Sequence, residues 1–539
     1  VAHRTGKNFK CQVKRKGESF MRSSAFFSAL TLTSFLFHPL FAEEAKDSIE
    51  FSRPVLSIFQ EGTRVVKGGE HIRHLEGFDD LWILPTGGSI GFQVKKNERL
   101  ALEVMVAATY YSSLNPNAFP QNYVRNVYIS LPRLDASYIF GELAHPFLKV
   151  DFGIFNYKYN ENSRNLGEYM FRSWAYPGFI QTGNAFGYVG NNSVNLTGLK
   201  LSQTLGMFSH EVLVTLETEM TPIYDLNLTY MARINYQNML KIGGGVQISR
   251  ALSNFDPPTM TAHYFEVDGI SYPFDDKSGG IVGTDYYSRL QEGIREKLNS
   301  TTLSAADSVS WDKRCNCEPE GSKSNSLSSA DSAQLAKEFA SAERALVVID
   351  SVKGLLPANR PKMHDLTAQA IKPVLYFSFD PKYFIGSNVF GPKDLIIYGE
   401  AAILGVKNYP VYYKDRMERT PMMVGFNLPA FKLLDVLSLE AEYYPSRLLP
   451  AYATTNSGGY QQVPVPYFET GYYPTDWDKD NWKWTVYAER TLVRGVTLSA
   501  QAASDHARSW DWASFGKTNW EMYTTPSDWY WAMKLAVKI

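Results

Sequence analysis

Glu440 and Glu442 stand two residues apart in the segment VLSLEAEYY, with Leu437, Leu439, Ala441 and Tyr443 on the opposite parity. Two is the side-chain period of a β-strand, so both carboxylates share one face and the apolar residues share the other. The arrangement recurs along the chain. Glu103 opposes Leu102, Val104 and Val106; Lys149 and Asp151 oppose Leu148, Val150 and Phe152; Arg233 opposes Tyr230 and Ala232; and Lys241 opposes Leu240 and Ile242. Glu217, Glu400, Lys483, Glu489, Lys534 and Lys538 extend the set on the polar parity of similar segments. Charges of both signs on a common face line an aqueous passage without strong ion selectivity, or else pair across strands to brace a filled interior.

Residues for other chemistry are sparse. Glu70, His71 and His74 in GEHIRH lack the helical H-E-x-x-H spacing and further ligands. Cys315 and Cys317 are separated by a single residue, a spacing that strains a mutual disulfide, and no second Cys pair supports a zinc site. The histidines beyond residue 42 are scattered and none sits in a recognisable catalytic setting. Gly243–Gly245 lie inside a strand-like segment, where small residues relieve crowding at a bend, rather than in a phosphate loop. No catalytic residue, metal site or cofactor is expected.

The elements that carry these charges are the alternating segments themselves. They run to about ten residues, the length that crosses a bilayer at a tilt, whereas soluble strands average about five or six. Sixteen are counted between residues 51 and 538, with 14 to 18 as the range. Among them are 51–60, 123–131, 372–380 and the final 527–538, in which Met533, Leu535 and Val537 face one way and Lys534 and Lys538 the other. Aromatic residues make up 14% of the chain, with Tyr 33 and Phe 32. Mean hydropathy is −0.25, and no apolar run in the body reaches the length of a membrane helix. Trp is concentrated near the C-terminus, and Trp482, Trp484, Trp529 and Trp531 stand near strand ends, as interfacial residues do.

Connections alternate in length. Those after even-numbered segments are mostly tight, those after odd-numbered ones mostly long, with exceptions near 221, 132–146 and 381–393. The longest, 250–371, needs structure of its own. Leu290, Ile294 and Leu298, and then Leu335, Phe339, Ala342, Leu346 and Ile349, have helical spacing, with Gly354 as a stop and a polar Ser-rich stretch between the two helices.

At the N-terminus, Met21–Ala42 reads as a secretory signal peptide, with Arg22 before an apolar run, and residues 1–20 as an over-extended upstream leader. The total charge of −1 includes five net positive charges in residues 1–20 and one at Arg22, so residues 43–539 carry −7. That balance argues against a nucleic-acid partner.

Together with the strand and loop pattern, the segment KVDFGIFNYKYNENSRNLGEYMF (149–171) resembles the strand-then-loop region of Gram-negative outer-membrane porin-like β-barrels. The resemblance is architectural. It implies an all-β fold, a transmembrane antiparallel up-and-down barrel of about sixteen strands with a partly helical long extracellular insertion at 250–371. The pore-lining candidates are then Glu103, Glu217, Arg233, Lys241, Glu400, Glu440, Glu442, Lys483 and Lys534. The implied function is passive diffusion of small hydrophilic solutes, with the insertion constricting or capping the mouth. The implied partners are outer-membrane lipid, the barrel-assembly machinery and the solutes themselves, and a homo-oligomer is compatible. Two rivals stand beside it. One is a closed barrel that anchors a surface-displayed module, with Tyr472, Tyr473, Trp477, Trp510 and Trp512 as a platform for saccharide rings; the other is a rim-site hydrolase. Barrels of this kind commonly end in Phe, and this chain ends in Ile539.

Overall fold

The computed structural model describes residues 49–68, 79–115, 122–143, 146–172, 189–190, 193–218, 225–252, 260–267, 270–275, 280–281, 362–366, 370–385, 389–406, 416–444, 481–511, 516–521, 523 and 526–539. The first eight staves of its principal sheet are β1 (Val55–Lys67), β2 (Thr86–Lys96), β3 (Leu100–Asn115), β4 (Asn122–Gly141), β5 (Pro146–Tyr157), β6 (Val194–Leu205), β7 (Phe208–Leu216) and β8 (Leu226–Tyr236). The remaining eight are β9 (Leu240–Leu252), β10 (Ala370–Phe379), β11 (Ile397–Ala402), β12 (Met422–Asn427), β13 (Val436–Tyr443), β14 (Trp482–Val493), β15 (Val496–Ser504) and β16 (Trp529–Lys538). Short strands Ile49–Phe51 and Trp82–Ile83 prolong β1 and β2. Each stave pairs antiparallel with its sequence neighbour. The ring then closes, because β16 pairs with β1 from Ser57↔Lys538 to Lys67↔Trp529. The result is a closed barrel of 16 antiparallel strands.

Closure leaves two faces, and alternation assigns them. In β8, Leu228, Tyr230 and Ile234 are 37%, 44% and 53% exposed while Asn227, Thr229 and Met231 between them are buried. In β16, Met533 and Leu535 are exposed and Tyr530 and Ala532 are buried. The apolar parity therefore points out of the barrel and the polar parity in, the reverse of a soluble core. At the rim that carries the long connections, outward aromatics cluster: Tyr443 against Trp482 (centroids 4.9 Å apart), Trp484 near Trp529 (6.5 Å) and Trp82 edge-on to Trp531 (5.7 Å). Trp484 donates its indole N–H to Pro526 O (3.1 Å). Amphipathic rings of this kind suit the zone where hydrocarbon meets water.

The opposite end carries tight turns. Asn97 with Glu98, and Gln237 with Asn238, hold consecutive left-handed φ angles (55°, 58°, 51°, 57°), the mirror-image turn whose twist matches paired strands. The start of β1 and the end of β16 both lie at this short-turn end, as an even number of staves requires.

Several boundaries differ from the sequence pattern. The fourth strand continues through Pro132 to Gly141, beyond the expected end at 131, because a bulge sets Leu131 and Pro132 of β4 opposite the single Val106 of β3 and the ladder resumes beyond it. The connection expected at 132–146 is therefore only 142–145, as short as most others at its end of the barrel. The first strand runs to Lys67 instead of 60. The connection between β10 and β11 stays long at the short-turn end and holds a one-turn helix, Lys382–Ile385. Within the 250–371 insertion the expected helices fall outside the described residues. Its described parts form a four-stranded antiparallel sheet of Gly280–Ile281, Ile270–Asp275, Met260–Val267 and Lys362–Leu366, with Met260↔Leu366 pairing beyond the β9–β10 ladder. The signal peptide and upstream leader also lie outside the described residues.

Replacing Leu535 by Asp places a carboxylate on the outward face at a cost of about 2 to 3 kcal/mol in hydrocarbon. Membrane assembly, read as heat-modifiable gel mobility, is expected to fail for Leu535→Asp and to persist for Ala536→Ser on the inward parity. Normal assembly of the Asp variant would reverse the assigned faces.

Candidate functional site

Residues 158–172, KYNENSRNLGEYMFR, leave β5 and turn into the barrel. The stretch first folds on itself. Lys158 Nζ donates to Ser163 O (2.6 Å), Ser163 Oγ to Asn160 O (2.9 Å), and Arg172 reaches back to Gly167 O (2.5 Å) and Asn165 O (2.7 Å). Gly167 and Glu168 take left-handed φ angles (83° and 56°) that reverse the chain into a single 3-10 turn, Tyr169–Phe171. A Cβ on Gly167 would also press on Glu400 and Met423 at 3.1 Å.

Carboxylates of the far wall hold this segment. Glu440 on β13 accepts the backbone N–H groups of Arg164 (2.5 Å), Asn165 (2.9 Å) and Leu166 (2.9 Å). Glu400 on β11 accepts those of Glu168 (3.0 Å) and Tyr169 (2.8 Å), the amide of Asn160 (3.0 Å) and the hydroxyl of Tyr159. Glu442 accepts the Tyr169 hydroxyl (2.7 Å) and pairs with His506 (2.5 Å). Carbonyls are held too, since Lys372 Nζ on β10 donates to the C=O groups of Tyr169 (2.8 Å), Met170 (3.2 Å) and Arg172 (2.6 Å). In a ring of sixteen staves, β13 stands diametrically across from β5, so the segment crosses the lumen. Charge-assisted bonds to backbone N–H groups are worth about twice neutral ones, and here they satisfy groups that water would otherwise serve.

Apolar contacts complete the attachment. Leu166, Tyr169, Met170 and Phe171 pack with inward residues Phe155, Leu196, Leu213, Met231, Tyr376 and Met423 in one buried cluster. Phe171 stands edge-on to Tyr157 (5.4 Å), and Tyr159 tilts against Tyr376 (5.2 Å). Two glycines of β9 make the room. A Cβ on Gly243 would enter the Tyr376 ring, and one on Gly245 would strike Met231 and lie 3.3 Å from Met170. The crowding that these small residues relieve is thus that of specific side chains, Tyr376, Met231 and Met170.

The lumen is not filled by this bridge. A polar cavity of ≈ 230 Å³ remains beside the start of the segment, with Tyr157, Lys158, Glu161, Lys200, Glu211 and Arg233 among its walls. Tyr157 donates to Glu211 (2.7 Å), and Lys200 pairs with Asp151 (3.2 Å) while lying over the Phe155 and Tyr157 rings. Glu161, at the tip of the segment, meets Arg233 (3.2 Å) and Lys241 (2.8 Å). Those two cations hold its carboxyl below the ordinary range against the opposing effect of partial burial. Deeper in the segment the direction reverses. Burial, followed by the nearby Glu400 charge, pushes Glu168 up to about 8, and burial lowers Lys158.

The nine charged candidates named from parity all lie on the inward face, but they do not form one group. Glu400, Glu440 and Glu442 converge on the inserted segment. Arg233 and Lys241 meet its tip. Glu217 is buried near the long-loop end, where Asp225 O receives its N–H. Lys483 is buried and donates to Tyr523 O (2.6 Å). Glu103 pairs with Arg133 (2.5 Å), and Lys534 lies 3.9 Å from Glu61 and over the Phe59 ring (4.9 Å). Of the aromatic loop candidates, Tyr472, Tyr473, Trp477 and Trp512 fall outside the described residues, and Trp510 belongs to a two-stranded ribbon, Arg508–Asp511 with Gly516–Glu521. Glu70, His71, His74, Cys315 and Cys317 fall outside as well. Among the described residues, no three His, Cys, Asp or Glu side chains converge as metal ligands would.

Sequence reasoning missed Lys372, Tyr398 and Asp505. Lys372 interrupts an apolar run, AIKPVLYF, on the inward parity, a signal that was available. Tyr398 donates to Glu440 (2.8 Å), and Asp505 takes Asn165 Nδ2 (2.5 Å) and Tyr530 OH (2.7 Å), contacts across long sequence separations that no local pattern carries.

No protein-family model matches the chain, and no curated protein matches it. Solved structures similar to it include OprB of Pseudomonas putida at high pH, 10% identical over 91% of this chain and 94% of that one, with a TM-score of 0.42. OmpF of Salmonella typhi in complex with daunomycin is 8% identical over 92% and 98%, TM-score 0.40. A mutant Rh. blastica porin is 7% identical over 91% and 100%, TM-score 0.32. The barrel itself is established by the β1–β16 ladder that closes it, and its architecture is that of the porin-like outer-membrane barrels the sequence resembles.

Proposed function

We propose that the protein is a porin-like outer-membrane channel that passes small hydrophilic solutes by diffusion, and that residues 158–172 are its constriction. The observation that carries this reading is the inserted segment itself. A closed barrel, apolar outside and polar inside, holds across its lumen a short stretch fixed at both walls, with a polar cavity left beside it. A bracing role alone would not call for a polar cavity of ≈ 230 Å³ lined by the part-exposed Lys200 and Arg233. In this reading the short-turn end faces the periplasm, the long connections face outward, and the chain arrives through its signal peptide and the barrel-assembly machinery. The solute-lining residues are Glu103, Glu161, Arg233, Lys241 and Lys534, while Glu400, Glu440 and Glu442 position the constriction rather than the solute. The channel reading makes catalysis unnecessary, and the protein is taken to be no enzyme.

A second reading, a closed barrel displaying the insertion as a binding module, is favoured by one observation. The pairing of Met260–Val267 with Lys362–Leu366 gives the insertion a sheet of its own, separate from the barrel sheet, which is what a displayed module would need.

Three protein forms in planar bilayers separate these readings. The full chain is expected to give stable current steps. A chain lacking 265–365 is expected to give steps of the same size, since the constriction lies elsewhere; larger steps would make the insertion a second constriction. Glu440→Ala strips three backbone N–H groups of their acceptor at a cost on the order of 3 kcal/mol, and is expected to give larger, noisier steps from a barrel that still assembles. Silence from all three as folded barrels would favour the display module. The hold on the segment is also pH-dependent. Because folding raises Glu168 from 4.5 to about 8, its protonated form is the stable one in place, beside Glu400 and Lys158. The contribution is full below about pH 4.5 and declines as pH rises through 8. Protease cleavage within 158–172 is therefore expected to quicken from pH 6 to pH 9, and a rate that falls over that interval would contradict the assigned ionisation.

A further inference from the structure

We propose that the wetted lining of the lumen is net positive and that the channel prefers anions, namely chloride and small solutes bearing carboxylate or phosphate, over cations. This rests on the channel reading above. Acids and bases alternate on the inward parity in a mixture that predicts little selectivity, but among the described residues burial withdraws more of the acids than of the bases.

The carboxylates are withdrawn from water. Glu61, Asp135, Asp151, Glu400, Glu440 and Glu442 are each at most 4% exposed. Protein donors occupy them: Glu400 and Glu440 take the N–H groups of the inserted segment, Glu442 takes Tyr169 and His506, Asp135 takes Arg133, and Asp151 takes Lys149 and Lys200. Lys372 and Lys483 are buried too, but most of the bases keep their head groups out. Side chains of Arg133, Lys149, Arg233, Lys241 and Lys534 are 39%, 44%, 35%, 26% and 27% exposed. Lys95 and Lys538, exposed on the same parity, add two more at the short-turn end. Against them, the carboxylates of the described staves and inserted segment that face the lumen and reach water are Glu103, Glu161, Glu211 and Glu489.

The physical cause is the backbone of the inserted segment. Its N–H groups need acceptors inside the barrel, and wall carboxylates supply them; the segment's carbonyls withdraw Lys372 and Tyr523 O withdraws Lys483, but most of the long cationic side chains of the described staves keep their stems along the wall and their heads wet. A passing ion responds mainly to the head groups nearest the water, because charges farther than about 10 Å away are screened at 0.1 M salt.

The test is the zero-current potential of the purified full chain in a planar bilayer under a tenfold KCl gradient, alongside Lys149→Gln/Lys241→Gln. Both substitutions sit on half-exposed inward positions, and gel mobility checks that each barrel is folded. The expected result is a potential of the sign set by chloride, with chloride permeability exceeding that of potassium severalfold, and a ratio that falls toward unity in the double variant. Conductance with no preference or a potassium preference overturns the proposal while the channel reading stands. An undiminished chloride preference in the double variant overturns the assignment to these head groups. Absence of conductance from a folded barrel overturns the channel reading and this proposal with it.

Discussion

In hydrocarbon an unpaired backbone amide has no water to turn to, and this constraint shapes everything else in the molecule. A strand with a free edge cannot stay there, so the sixteenth stave must meet the first, and the Ser57↔Lys538 to Lys67↔Trp529 ladder is how it does so. Once the ring is closed, the two-residue period of each stave leaves no freedom: the residues beside Leu228 and Tyr230 must face in, and those beside Asn227 and Thr229 must face out. The aromatic rim and the tight turns follow from the same closure, because each connection has only to return the chain to an adjacent stave.

The inserted segment restates the constraint within the lumen. A length of irregular backbone placed inside a barrel brings donors and acceptors with it, and here they are met largely by ionic side chains. Glu440 and Glu400 serve five N–H groups between them, and Lys372 serves three carbonyls. The apolar residues of the segment then find a small core of their own with Met231, Tyr376 and Met423. A polar cavity and a packed, hydrogen-bonded wall stand side by side because the segment crosses the lumen without filling it.

Much of this was legible in the amino-acid sequence, for a physical reason. Parity is local: Glu440 and Glu442 declare their common face within a few residues, and so do Lys534 and Leu535. Strand count and loop alternation are sums of such local signals. The fourth strand read short because Pro132 looks like a terminator, and only the bulge opposite Val106 shows that the ladder continues. The destination of residues 158–172 is another kind of information. Its polar, Gly-containing composition is that of any loop, and the partners that draw it inward lie more than two hundred residues away. Nothing in YNENSRNLGEYMF announces that Glu400 will take its amides, just as nothing in IYGEAA announces which backbone Glu400 will meet.

That separation has a consequence in time. The segment belongs to the first third of the chain, and the residues that hold it belong to β10, β11 and β13. Its amides have this wall to bind only when β5 and β10 to β13 stand in one ring, and contacts of such high sequence separation are the slow ones to form. A barrel without β13 would lack the carboxylates that hold the segment on its far side, so the crossing is a property of the finished ring and of no smaller part.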